Sequence, residues 1–171
     1  MNHLLIAISL LVGSLDLAAL SASAQPSQYE SNDRPTVNAI SEQEREKPLA
    51  EIAGRIQKML DLQIVISNET KRLSTDIEGT DDKRPRPKDR EAALKLAEKQ
   101  QVIVSEASKA IDLLAAEGSS VAFVNVFRLL REDMKSVQRR LAICDVGIGN
   151  QASEQEVIDN LQMMIEALKP K

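Results

Sequence analysis

Residues 49–77 read LAEIAGRIQKMLDLQIVISNETKRLSTDI, and the spacing of their apolar positions decides the fold. Leu49, Ile52, Ile56, Met59, Gln63, Ile66, Thr70, Leu73 and Ile77 follow one another at alternating intervals of three and four, with two polar members in the series. A repeat averaging 3.5 residues keeps one stripe of a helix turned toward a neighbouring helix along its whole length. Ala53, Leu60 and Ile64 widen the stripe, so a bundle fits as well as a two-stranded coil.

The same spacing returns downstream. Ala93, Leu96, Gln100, Ile103, Ala107, Ala110 and Leu114 form a second stripe, flanked by Ala97, Val104 and Ile111. Phe123, Phe127, Leu130, Met134, Val137, Leu141 and Cys144 form a third. Val157, Leu161, Met164 and Leu168 form a fourth, flanked by Ile158 and Ile165. Breaks separate them. Gly79 is a natural stop, and in Thr80–Lys88 (TDDKRPRPK) Pro85 and Pro87 cannot both continue a helix. Asp89 is the expected N-cap beyond that loop. Gly118-Ser119-Ser120 closes the second helix, and Asp145–Gln151 (DVGIGNQ) reads as a turn with glycines at left-handed positions. Ser153 with Glu156 has the capping-box spacing that would open the last helix.

The expectation is an all-α fold: a long antiparallel helical hairpin plus two further helices, coiled-coil or four-helix-bundle-like, in one domain over 48–169. Its helices are expected at about 48–78, 89–117, 120–144 and 153–168. The first two would each be ~45 Å long at the helical rise, and their short loop makes them antiparallel neighbours. Counting back from the loop centre brings Gln63 and Gln100 within about a turn of each other across the seam. They read either as a polar layer that fixes register or as two residues at a wet edge.

Ahead of the helices, 25–47 is polar and rich in Pro, Asn and Ser, and reads as a flexible arm. Within it Ser41 and Glu44 have capping-box spacing, a start for a short helical lead-in that Pro48 would either kink or follow as the first turn of the main helix. Met1–Ala24 has the form of a secretory signal peptide. Leu4–Val12 is apolar apart from Ser9, and Ala22-Ser23-Ala24 is a small-x-small cleavage site. Asp16 and Gly13 leave too short an apolar run for a membrane span of ~20 residues. Export to the periplasm or beyond, with cleavage near Ala24, is expected; membrane contact beyond the signal peptide is not.

Composition narrows the chemistry. The 171 residues carry a formal charge of −4, which gives no general attraction to nucleic acid. His3 is the single histidine and lies in the signal segment, so the processed chain would hold no imidazole for acid–base, nucleophilic or zinc chemistry. No catalytic residue, cofactor, metal or small-molecule substrate is expected, and the chain is not read as an enzyme. Gly147-Ile148-Gly149-Asn150-Gln151-Ala152 spells G-x-G-x-x-A, but a dinucleotide fingerprint needs a strand before it and a helix precedes here. Asn68-Glu69-Thr70 is a glycosylation sequon by accident of a mid-helix position. Cys144, the single cysteine, cannot form an internal disulfide and is expected as a small buried hydrophobe on a helix seam; the alternative is a bridge between chains.

Two basic groups are candidate interaction sites. Lys83, Arg84, Arg86 and Lys88 sit in the first loop, bracketed by acids that favour a solvated hairpin tip. Arg128, Arg131, Lys135 and Arg139 form one line on the third helix, and Glu154, Glu156 and Asp159 are placed to pair with them across the short turn. Met59, Met134, Met163 and Met164 read as core, or else as a surface able to re-pack around varied clients.

The C-terminal stretch adds a resemblance. Leu96-Ala97-Glu98-Lys99-Gln100, Glu117-Gly118, Asp133-Met134 followed by Val137 and Leu141, Asp145-x-Gly147, and Gln155-Glu156-x-Ile158-x-x-Leu161-x-x-x-Ile165-Glu166-Ala167-Leu168 resemble a group of exported bacterial helical proteins whose roles are uncharacterised. The resemblance covers roughly 92–169. It implies an extracytoplasmic bacterial setting and an envelope-associated role, and it carries no active-site residues. Taken together, the expectation is a non-catalytic exported helical interaction or scaffold protein that binds an envelope protein or itself. A periplasmic holdase and a membrane-surface binder are the alternatives.

Overall fold

The computed structural model describes residues 42–116, 118 and 121–168, with side chains described from Ala50 onward. The expected signal peptide, and the arm up to residue 41, lie outside the described residues. Four helices make up the described chain, and no strand occurs among these residues: α1 (Glu42–Glu78), α2 (Pro87–Ala116), α3 (Val121–Ala142) and α4 (Ile148–Ala167). They run up and down in alternation. α1 packs on α2, α2 on α3, α3 on α4, and α4 back on α1, so the ring closes into an all-α four-helix bundle. None of the described helices is long and apolar enough to cross a membrane.

The four stripes meet in the middle. Ile52, Ile56, Met59, Ile66, Leu73 and Ile77 of α1 are buried against Ala93, Leu96, Ile103, Ala107, Ala110 and Leu114 of α2. Phe127, Leu130, Met134, Val137 and Leu141 of α3 close the other side with Val157, Leu161 and Met164 of α4. Phe123 meets Phe127 edge to face with ring centroids 6.5 Å apart, a geometry that suits the positive rim and negative face of the rings. Burying one Leu or Ile is worth ~1.5–3 kcal/mol, and a lone helix of this length has no surface to bury it against. Each helix therefore depends on its two neighbours.

The helix ends depart from expectation in instructive ways. α1 begins at Glu42, so 42–47 are helical and the expected arm is shorter than 25–47; Pro48 lies within the helix and leaves the Glu44 carbonyl without its usual donor. α2 begins at Pro87, whose fixed φ and missing N–H suit a first helical position. Asp89 is thus not the N-cap but the third helical residue. Its Oδ2 accepts the Arg86 backbone N–H at 2.9 Å, the return half of a capping box.

α3 stops at Ala142. Asp145 N–H donates to Arg140 O at 2.9 Å and Cys144 N–H to Leu141 O at 2.9 Å, the paired bonds of a Schellman ending. The left-handed position this ending requires is filled by Cys144, at φ 61°, and not by a glycine. Cys144 therefore lies past the helix end, half-buried, and not on a helix seam as its spacing suggested.

α4 starts at Ile148, five residues before the expected capping box. Gly147 is the cap, in extended conformation. Ser153 lies inside the helix and donates to the Gly149 carbonyl four residues back at 3.2 Å, so it caps nothing. The Arg140 guanidinium lies over Gly149: a Cβ there would stand 2.8 Å from its Nη2, so a larger residue would push that flexible side chain aside.

Candidate functional site

Polar side chains enter the core in one region, spread over α1, α2 and α4. Gln63 of α1 and Gln100 of α2 are both fully buried, and Gln100 Nε2 donates to Gln63 Oε1 at 2.8 Å. One amide–amide bond leaves a donor and an acceptor over: Gln63 Nε2 and Gln100 Oε1 have no protein partner. Two interhelical ion pairs, Arg55–Glu106 at 2.9 Å and Lys99–Glu69 at 2.6 Å, also tie α1 to α2 along their partly exposed edges. Glu106 also accepts from Lys109 at 2.7 Å, and that ammonium, with a lesser contribution from Arg55, holds its carboxyl below the usual range although burial acts the other way.

Closer to the α1–α2 loop, Glu154 of α4 is fully buried. Its Oε1 accepts the Thr70 hydroxyl at 2.8 Å and the Asn150 amide at 3.2 Å. Its Oε2 and the side-chain oxygen of Asn150 make no hydrogen bond, and the Ser67 hydroxyl stands near the carboxyl without a well-formed bond to it. Burial pushes the Glu154 carboxyl above its usual range; the Thr70 and Ser67 hydroxyls and the Lys71 charge act in the opposite direction and do not offset it.

Glu154 was expected on the surface, paired with the basic line of α3, and this is the main correction at the site. It lies three residues before Val157, and Asn150 four before that, so both continue the inward stripe of α4. That spacing was the signal available for finding them, masked by the residue types. The basic line finds other partners. Arg128 donates to Asn125 at 3.2 Å, and Arg131 and Lys135 both reach Glu132 on their own helix, at 3.3 and 2.8 Å. Arg139 is exposed. Glu156 lies instead near Asp133, whose carboxyl is raised by burial first and then by the like charges of Glu156 and Glu132.

The first loop and the α3–α4 turn share one end of the bundle. Lys83, Arg84 and Lys88 are exposed, with Lys83 at φ 51°. Arg86 is held to Asp89 at 2.8 Å, and the Arg86 guanidinium, with its backbone N–H, keeps the Asp89 carboxyl below the usual range. Cys144 Sγ approaches the Asp89 carbonyl oxygen at 3.8 Å, linking the two turns. Burial, then the Asp89 charge, push the Cys144 thiol up, which disfavours the reactive thiolate. Arg140 and Asp145 pair at 2.8 Å across the same turn that the Schellman bonds close.

Chemically, two carboxyls are buried: Glu154 among amides and hydroxyls, and Asp89 at the bundle end in its pair with Arg86. Among the described residues no three His, Cys, Asp or Glu side chains converge as a metal site would need. Met59, Met134 and Met164 are buried core residues, and Met163 packs half-buried against them. A scan against protein-family models finds no match, and comparisons with curated proteins and with solved structures find none either.

Proposed function

We propose that this chain is a non-catalytic helical interaction protein, exported to the bacterial cell envelope, that binds an envelope protein or a second copy of itself. Export rests on the signal-like pattern of 1–24, and the setting on that pattern together with the resemblance of 92–169 to exported helical proteins. The observation that carries the binding role is the pair Ile143 and Ile148, 78% and 82% exposed at either side of one turn. Isolated aliphatics on a surface are ordinary. These two flank a turn held by two backbone bonds and the Arg140–Asp145 pair, so little backbone ordering entropy would be lost when something covers them.

The test is the purified chain in sedimentation across a wide concentration range, with crosslinking in envelope extracts. Self-association or a discrete crosslinked product is expected, and Ile143→Ser with Ile148→Ser should weaken it about tenfold or more while leaving the melting temperature nearly unchanged. A chain that stays monomeric at every concentration and crosslinks to nothing would retire the proposal.

A further inference from the structure

Seven of the nine buried polar side chains belong to α1 and α4: Gln63, Ser67, Thr70, Ser74, Asn150, Glu154 and Asn160. α3 contributes none; its buried face is Val124, Val126, Phe127, Leu130, Met134, Val137 and Leu141. Gln63 turns to Gln100 of α2, whereas Glu154 stands between α4 and α1 with Thr70 and Ser67 facing it from α1.

The hydrogen bonding there fits a neutral acid. One oxygen accepts from Thr70 and Asn150, while the other makes no hydrogen bond and has the Ser67 hydroxyl near it. A carboxylate there would be a fully buried charge answered only by neutral hydroxyls and an amide, with no ion pair, which is costly. A protonated Oε2 carries a hydrogen-bond donor of its own, and the nearby Ser67 hydroxyl can turn to accept it, so the neutral acid is satisfied without a buried charge. The surrounding charges do not offset burial. From α1 the sole contribution is Lys71, itself exposed; α3 and α2 bring no charged group to bear, nor does α4 itself.

We propose that α4 is a proton-controlled latch: it packs on α1 through the neutral form of Glu154, and loss of that proton loosens α4 from the rest of the bundle. This goes beyond the proposed binding role and stands independently of it. Below the ordinary carboxylate range the folded and opened forms are both protonated and the latch is closed. As pH rises the opened form ionises first, so the closed form loses its advantage progressively until the pH passes the raised value of the buried carboxyl. Opening would uncover Val157, Leu161 and Met164.

Hydrogen exchange of the full chain at about pH 5 and about pH 8, corrected for intrinsic rates, reads this directly. Protection of 148–167 and of the facing part of α1 should fall about tenfold or more at the higher pH, while the α2–α3 contact keeps its protection. Glu154→Gln retains the acceptor for Thr70 and supplies a donor to Ser67, so it should hold α4 equally protected at both pH values. Equal α4 protection at both pH values in the unaltered chain, or an undiminished pH effect in Glu154→Gln, would overturn the latch. Should the variant fail to fold, carbon NMR titration of the Glu154 carboxyl in the unaltered protein decides: ionisation within the ordinary glutamate range overturns it, and a raised midpoint supports it.

Discussion

Gln100 of α2 donates its side-chain N–H to the carbonyl of Gln63 on α1 at 2.8 Å, with both residues wholly out of solvent. The pair is the polar step in an otherwise aliphatic α1–α2 seam. Its geometry gives the seam a preferred register, because sliding either helix by one turn would set each amide against a hydrocarbon neighbour.

Removing one member should therefore cost more than removing both. Gln100→Leu leaves the Gln63 amide buried without its bond and should destabilise by about 1–3 kcal/mol in urea unfolding. Combining it with Gln63→Leu should recover most of that loss or exceed the starting stability, because both unmatched amides disappear. The double variant is expected to show broadened amide resonances along α1 and α2, since register is no longer fixed. A double variant less stable than the single would remove the register interpretation.

Neighbouring leucines on α3 should behave differently. Leu130 is fully buried and Leu129 is 57% exposed. Leu130→Ala should cost about 2–5 kcal/mol through lost transfer energy and the cavity left behind. Leu129→Ala should stay within about 0.5 kcal/mol of the parent. Thermal or urea unfolding of the two variants measures the contrast, and equal losses would contradict the placement of the α3 stripe.

The turn after α3 asks a non-glycine residue to adopt φ 61° at Cys144. Left-handed backbone costs an ordinary L-residue about 1–2 kcal/mol, which glycine avoids at the expense of a looser unfolded chain. Cys144→Gly should be stabilising by roughly 0.5–1 kcal/mol net of that entropy, and Cys144→Val destabilising, because a branched Cβ tolerates the conformation worst. Cys144→Ala isolates the 3.8 Å contact of the thiol with Asp89 O and should change little. Melting temperatures of the three variants suffice as a check.

Asp89 predicts a pH effect opposite in sign to that of Glu154. The Arg86 guanidinium and backbone N–H lower its carboxyl in the folded state. Its contribution is therefore present above the ordinary carboxylate range, near pH 4, and is lost as pH falls through the depressed folded value. Asp89→Ala should lower the melting temperature at neutral pH and flatten the acid side of the stability profile. A variant whose profile runs parallel to the parent down to strongly acidic pH would show that the α2 cap plays no such part.

The intervals of three and four between apolar residues were enough to define four helices and their inward faces. From Ile52 through Ile77 in α1, every stripe position is buried, Gln63 and Thr70 included. Short connections then require neighbouring helices to run antiparallel. Those features are local and repetitive, so the sequence by itself determined them. It also determined that an imidazole is missing beyond His3.

Other features were settled by tertiary contact. Glu154 and Asn150 continue the α4 stripe, yet an acid at such a position is normally a surface residue; only the arrival of Thr70 from 84 positions away gives it a place inside. Cys144 kept the α3 spacing, but the Schellman bonds end that helix before it. Ser153 lost its capping role because Gly147, beside the Arg140–Asp145 pair, starts α4 earlier. Periodicity reports which face of a helix is covered, because it follows from backbone geometry alone. Which polar groups are tolerated beneath that cover depends on partners from distant parts of the chain, and the folded bundle alone brings those together.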